Sequence, residues 1–183
     1  MLDDLTAWLT VENVRGAIIG GVAASVLGRP RMTRDVDALV LLDSARLKTF
    51  LAAGSRFGFK PRLGDAVEFA TRNRVLLASH EPSKTPVDIA LGFLPFEEES
   101  IARSTVVTVA GVSFPVVSPE DLMVMKAVAH RPRDVADIES LLDANPKLDL
   151  ERVRYWVGQF ASVLEAPEIL NDLEAMLARR VSP

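Results

Sequence analysis

The chain has 183 residues, 49% of them hydrophobic and 25% charged, with a formal net charge of −4. This composition belongs to a globular protein that buries its own core, and it excludes disordered and fibrous classes. With no cysteine and two histidines there is no disulfide framework, no thiolate metal site and no cysteine nucleophile. The acidic balance also argues against a generic electrostatic grip on nucleic acid.

Leu2, Leu5, Trp8 and Leu9 recur at helical spacing, so residues 2–12 read as an amphipathic helix. Its early acids and lack of a cationic start do not fit a signal peptide. No apolar run approaches bilayer length, and a soluble, cytoplasmic protein is the expectation. Arg15–Ile19 reads as a short apolar strand, Gly20-Gly21 as a turn, and Val22–Leu27 as a helix closed by Gly28-Arg29-Pro30. A loop carrying Arg29, Arg31 and Arg34 forms a local basic patch before Val36–Leu42, a strand apolar on both faces. Residues 44–57 have helical periodicity, with Gly58 as a cap. Asp65–Thr71 fits a short helix, and Arg74–His80 and Thr85–Leu91 read as a hairpin around Glu81-Pro82-Ser83-Lys84. A helix over Glu97–Ser104 precedes a second hairpin, Thr105–Val109 and Val112–Val117, about Ala110-Gly111.

From Ser118 strand character disappears. Ser118-Pro119-Glu120-Asp121 is a helix start, and helices are expected near 119–130, 133–144, 149–164 and 167–180. The order of elements predicts an α+β protein. A short mixed sheet flanked by helices occupies residues 1–117, and a helical region over 118–183 packs on it.

Five features bear on chemistry. A double glycine between strand and helix lets backbone N–H groups approach an anion, and the helix N-terminus adds favourable partial charge, although most such pairs only make a tight turn. Asp35 and Asp37, two apart at the start of a strand, present both carboxylates on one face with Cα atoms about 6–7 Å apart. Such a pair suits a hard divalent cation, or is simply a solvated turn. Asp88, the one charge in Pro86–Leu91, either faces solvent on an edge strand or joins Asp35 and Asp37 if the strands are neighbours. Lys126 interrupts a helix that is apolar almost all round, so it either snorkels or meets an internal carboxylate or a ligand phosphate. Arg131, Arg133, Asp134 and Asp137, taken alone, read as surface charges. His80 ends a strand without partners, and His130 either caps a helix end or is partly exposed. Phe57, Phe59, Tyr155 and Trp156 read as core or interface aromatics.

The stretch Ile18–Ser25 followed by Arg31-Met32-Thr33-Arg34-Asp35-Val36-Asp37 resembles the nucleotidyltransferase superfamily with the polymerase-beta-like fold, and in pattern its AbiEii-type members, many of them toxins of toxin–antitoxin pairs. The segment from Asp121 through Lys126, Ala129, Arg131, Asp134 and Asp137 resembles a later block of the same family. The resemblance implies that Gly20 and Gly21 hold the nucleotide phosphates and that Asp35, Asp37 and Asp88 bind Mg2+ or Mn2+. It implies that Asp88 activates the acceptor hydroxyl and that Lys126 contacts phosphate or an acidic partner. Arg31 and Arg34 are implied to steady the aspartate loop or the triphosphate, and Asp134 and Asp137 match a late acidic motif.

The function so implied is metal-dependent transfer of a nucleoside monophosphate from a triphosphate such as ATP to a hydroxyl of RNA, a protein or a small molecule. tRNA is a possible acceptor and an antitoxin a possible partner. The alternative is a nucleotide-binding or interaction module that keeps the fold without turnover.

Overall fold

Helix α1 (Leu2–Val11) buries Leu5, Trp8 and Leu9, the stripe its periodicity requires. A computed structural model describes the chain over residues 1–181, with side chains to residue 179. Strand β1 (Arg15–Ile19) runs directly into α2 (Gly20–Leu27), so the two glycines are the first residues of the helix and not a separate turn. Strand β2 (Val36–Leu41) follows the basic loop. The expected helix over 44–57 is instead α3 (Leu47–Gly54) between two 3-10 turns, Ser44–Arg46 and Ser55–Phe57. Gly58 stops it in the left-handed region at φ 81°.

Strand β3 (Phe59–Pro61) is three residues long and was too short to announce itself by periodicity. Helix α4 (Ala66–Asn73), strands β4 (Val75–His80) and β5 (Thr85–Leu91), helix α5 (Pro95–Ala102) and strands β6 (Thr105–Val109) and β7 (Val112–Val116) complete the first part. Helices α6 (Pro119–Ala129), α7 (Pro132–Ala144), α8 (Leu150–Val163) and α9 (Pro167–Val181) follow. Among the described residues, no helix is long and apolar enough to cross a membrane.

The chain divides into two compact units. One comprises Met1–Ala23 and Met32–Val117; the other comprises Ala24–Arg31 and the chain from Ser118 onward. Residues 24–31, expected in the front region, group with the C-terminal helices, and residues 182 and 183 of the expected second region lie outside the described residues.

In the first unit seven strands, counted among the described residues, form one mixed sheet in the order β3-β4-β5-β2-β1-β7-β6. The central β2 pairs antiparallel with β1 and parallel with β5, and Val36, Ala38, Leu39 and Val40 are buried, so both of its faces are covered. Trp8 anchors one cluster: its ring stacks on Phe50 at 4.2 Å and Phe59 at 5.1 Å, and its Nε1 donates to the Phe50 carbonyl. Gly54 is required beneath it, because a Cβ there would run into the indole. His80 has partners after all: it is buried against Phe59, shares a 2.8 Å hydrogen bond with Ser83 through Nδ1, and holds Nε2 3.1 Å from the Asp4 carboxylate.

In the second unit, α6 begins as its sequence demands. Ser118 Oγ accepts from the Asp121 N–H, Pro119 takes the first turn, and His130 ends the helix at φ 51° with its ring 2.9 Å from Asp172. Leu122, Met123, Val124 and Ala127 are buried as α6 packs against α7, α8 and α9. Tyr155 is largely exposed, edge-on to Trp156, and is not a core residue.

Candidate functional site

The carboxylates singled out in the sequence come from two neighbouring strands of the first unit, β2 with the residue before it and β5. Asp37 sits at the start of β2, between Ile19 at the end of β1 and Asp88 of β5, with which it is in register. In-register residues of parallel neighbours point to the same face, about 4.8 Å apart. Asp88 therefore lies on a strand adjacent to the aspartate pair, not on a sheet edge. Asp35, one residue before β2, is held by Thr33, whose hydroxyl donates to Asp35 Oδ1 at 2.8 Å.

The double glycine serves this arrangement directly. Gly20 has φ 63°, and a Cβ on it would occupy the space of the Asp37 carboxylate. The Gly21 N–H points at Asp37 Oδ2, 3.5 Å away. Glycine is thus demanded twice, by left-handed backbone and by close approach. The helix N-terminus beside a carboxylate is electrostatically favourable.

Asp88 brings in a residue that the motifs did not reveal. Arg62 follows β3, and its N–H donates to the Leu77 carbonyl at 3.0 Å; Leu77 is in turn in register with Asp88. Arg62, Leu77, Asp88 and Asp37 thus form one row across the sheet. The guanidinium reaches over β4 and pairs with Asp88 Oδ1. Burial pushes the Asp88 carboxyl up; Arg62 pulls it down, Asp35 adds to the rise, and the net is above its ordinary value.

The donor set suits a hard divalent cation, being all carboxylate oxygen and drawn from adjoining strands. The carboxylates are not, however, gathered around one point: among the described residues no three acidic or histidine side chains stand as a group able to hold a metal ion. Asp88 is turned onto Arg62 and Asp35 onto Thr33.

The remaining candidates belong to the second unit, apart from Arg34, which is exposed on its loop in the first. Lys126 does not snorkel. It is buried, with Nζ 2.9 Å from Asp134 Oδ1 and 2.7 Å from Asp137 Oδ2. Asp134 and Asp137, read in isolation as surface charges, are buried with it. The sequence did carry the signal: one lysine on an apolar helix requires an anion, and two acids three apart on the next helix share a face. Arg131 grips Asp134 from the start of α7 at 2.6 Å. Arg31 forms a two-pronged bond to Asp137, at 2.7 and 2.9 Å. Nearby in the same unit, Arg152 Nε donates to the buried Asp121 at 2.8 Å.

Burial pushes both Asp134 and Asp137 up, but the hydrogen bonds from Arg131 and Lys126 to the one, and from Arg31 and Lys126 to the other, outweigh it and hold both below the ordinary carboxylate value. An acid whose pKa is lower in the folded state stabilises fully above its unfolded value, and that stability drains away as pH falls through the folded one. Urea unfolding of the wild type should therefore lose free energy below about pH 4, with a steeper slope than the Asp134→Asn/Asp137→Asn variant. Equal slopes in the two proteins would remove this pair from the acid response.

Comparison with solved structures supports the same architecture. The chain is similar to an antigenic nucleotidyltransferase-like protein from Paracoccidioides brasiliensis, with TM-score 0.58 and 18% identity over 93% of this chain and 90% of that one. It is similar to the antibiotic-resistance factor ANT(2'')-Ia, with TM-score 0.60 and 18% identity over 90% of this chain and 91% of that one. It is also similar to the lincosamide antibiotic adenylyltransferase LnuA in its lincomycin-bound form, with TM-score 0.52 and 15% identity over 77% and 94%. No curated protein matches the chain by sequence. The profile of one family matches residues 4–175, and the chain belongs to that family, the nucleotidyltransferases of unknown function DUF6036.

Proposed function

We propose that this nucleotidyltransferase moves an adenylyl group from ATP to a hydroxyl of a small molecule, with Asp35, Asp37 and Asp88 as its catalytic carboxylates. The observation that carries the reading is the register of Asp37 with Asp88, beside a glycine whose missing side chain leaves room for the Asp37 carboxylate. A small acceptor is preferred to tRNA or a protein, and to an AbiEii-type toxin role with an antitoxin partner. Two of the similar folds belong to proteins named for antibiotics, one an adenylyltransferase with lincomycin and one in complex with adenylyl-2''-tobramycin.

Asp35, Asp37 and Asp88 would hold Mg2+ or Mn2+, which supplies charge neutralisation to the triphosphate when bound. The Gly20-Gly21 helix start offers N–H groups to the phosphates, and exposed Arg34 adds a cation beside Asp35 on the loop before β2. The acceptor oxygen bonds to the α-phosphorus as the bond from that phosphorus to pyrophosphate breaks, and the hydroxyl proton passes to the Asp88 carboxylate. In this reading Lys126 finds its acidic partners in Asp134 and Asp137, and Arg31 in Asp137, all within the second unit.

The test is calorimetric titration of each nucleoside triphosphate with Mg2+ into folded protein, followed by transfer of labelled AMP to hydroxyl compounds. ATP binding that disappears on chelating the metal is the expected result. No binding of any triphosphate would favour the competing reading, a module without turnover, to which the Arg62 grip on Asp88 lends its one support.

A further inference from the structure

Three facts about Arg62 stand together. It lies on the same sheet row as Asp88 and Asp37, two strand spacings, or about 10 Å, from Asp88. Its guanidinium pairs with Asp88 Oδ1. And both side chains are about one-third exposed, 34% and 35%, so the contact is open to exchange with a solvent-borne cation.

We propose that Arg62 is a resident counter-ion for the carboxylate cluster, holding Asp88 in the metal-free protein and yielding it when a divalent cation arrives. The inference rests on the reading of Asp35, Asp37 and Asp88 as the metal-binding carboxylates. The physical need is plain: three carboxylates on adjoining strands repel one another, and a fixed cation relieves this until a stronger one replaces it. Arginine suits the task because it stays charged, and its one contact here, from Nη2 to Oδ1, engages a single carboxylate oxygen. Arg62 is in this sense a positioning residue, acting through Asp88.

A counter-ion and a purely structural arginine differ in the sign of one measurement. Removing a structural support weakens metal binding or leaves it unchanged; removing a competitor strengthens it. The experiment is binding of Mn2+ alone, without nucleotide, followed through the paramagnetic resonance signal of the free ion. Circular dichroism melting confirms that each variant is folded.

Arg62→Gln is expected to bind Mn2+ about five- to tenfold more tightly than wild type, the net scale of one hydrogen bond in a partly exposed contact. Arg62→Lys, which keeps the charge without the fork, should fall between them. In an Asp88→Asn background Arg62→Gln should change nothing, because the contested carboxylate is gone. Mn2+ affinity that is unchanged or weaker in Arg62→Gln overturns the inference. The underlying site reading has its own control. If Asp37→Asn leaves Mn2+ binding intact, or neither wild type nor Arg62→Gln binds Mn2+, the carboxylate site fails and takes the counter-ion with it. Binding that depends on Asp37 but ignores Arg62 overturns the counter-ion alone.

Discussion

Asp37→Asn should abolish metal-dependent adenylyl transfer while leaving the protein folded. The side chain sits where three elements converge: in register with Asp88 on β5, opposite Ile19 on β1, and within reach of the Gly21 N–H at the start of α2. Loss of one carboxylate from a divalent-cation site removes several kcal/mol of transition-state charge stabilisation, or about a thousandfold or more in rate. Stability should be unchanged or slightly higher, because an asparagine oxygen still accepts from Gly21 and a source of repulsion is gone. The measurement is transfer of labelled AMP alongside a thermal melt. Wild-type transfer by the folded variant would sink the assignment of the site. Gly20→Ala provides an independent approach to the same carboxylate, since its Cβ would displace Asp37 without altering any ligand.

Lys126→Met should have the largest effect on stability. Lys126 is buried between Asp134 and Asp137, and its loss leaves two buried carboxylates each with one cationic partner fewer. Breaking a buried charge network from one side costs about 3–5 kcal/mol, because the remaining charge cannot return to water. For a chain of this length that is a fall in Tm on the order of 10 °C. The contrast is Arg154→Ala, which removes an ion pair of similar geometry to Glu174 but on the exposed face of α8; its cost should stay under about 1 kcal/mol. Chemical denaturation of both variants measures the difference. Should Lys126→Met instead keep its Tm and lose ATP binding, the lysine is reaching the donor phosphate.

Much of the local structure was legible because its causes are local. Helix α1 is visible in Leu5, Trp8 and Leu9, α6 in the Ser118-Pro119 start, and the β6–β7 hairpin in Ala110-Gly111, which takes φ 50° and 83° as such a turn requires. Where prediction failed, the reason was also physical. The 44–57 stretch has one helical periodicity, yet Asp43 caps a 3-10 turn and a second one follows Gly54, and hydrophobic spacing does not resolve these. Three-residue β3 has too little alternation to detect, and with it went any sight of Arg62.

The residues of the candidate site were legible in the chain: a glycine pair at a strand-to-helix junction, two aspartates two apart at the next strand, and a third in an otherwise uncharged strand; so was the need of Lys126, on an apolar helix of the second unit, for an anion. These follow from side-chain period, backbone conformational freedom and the cost of burying charge, all of which operate within a few residues. Which of these residues meet is a property of the folded chain. Register across β5, β2 and β1 placed Asp88 beside Asp37, β3 carried Arg62 to Asp88, and the second unit gave Lys126 two carboxylates and Asp137 to Arg31. Such pairings join residues far apart in the chain. They are selected by which strand and helix surfaces bury the most apolar area together, a condition on the whole fold that no local stretch of sequence contains.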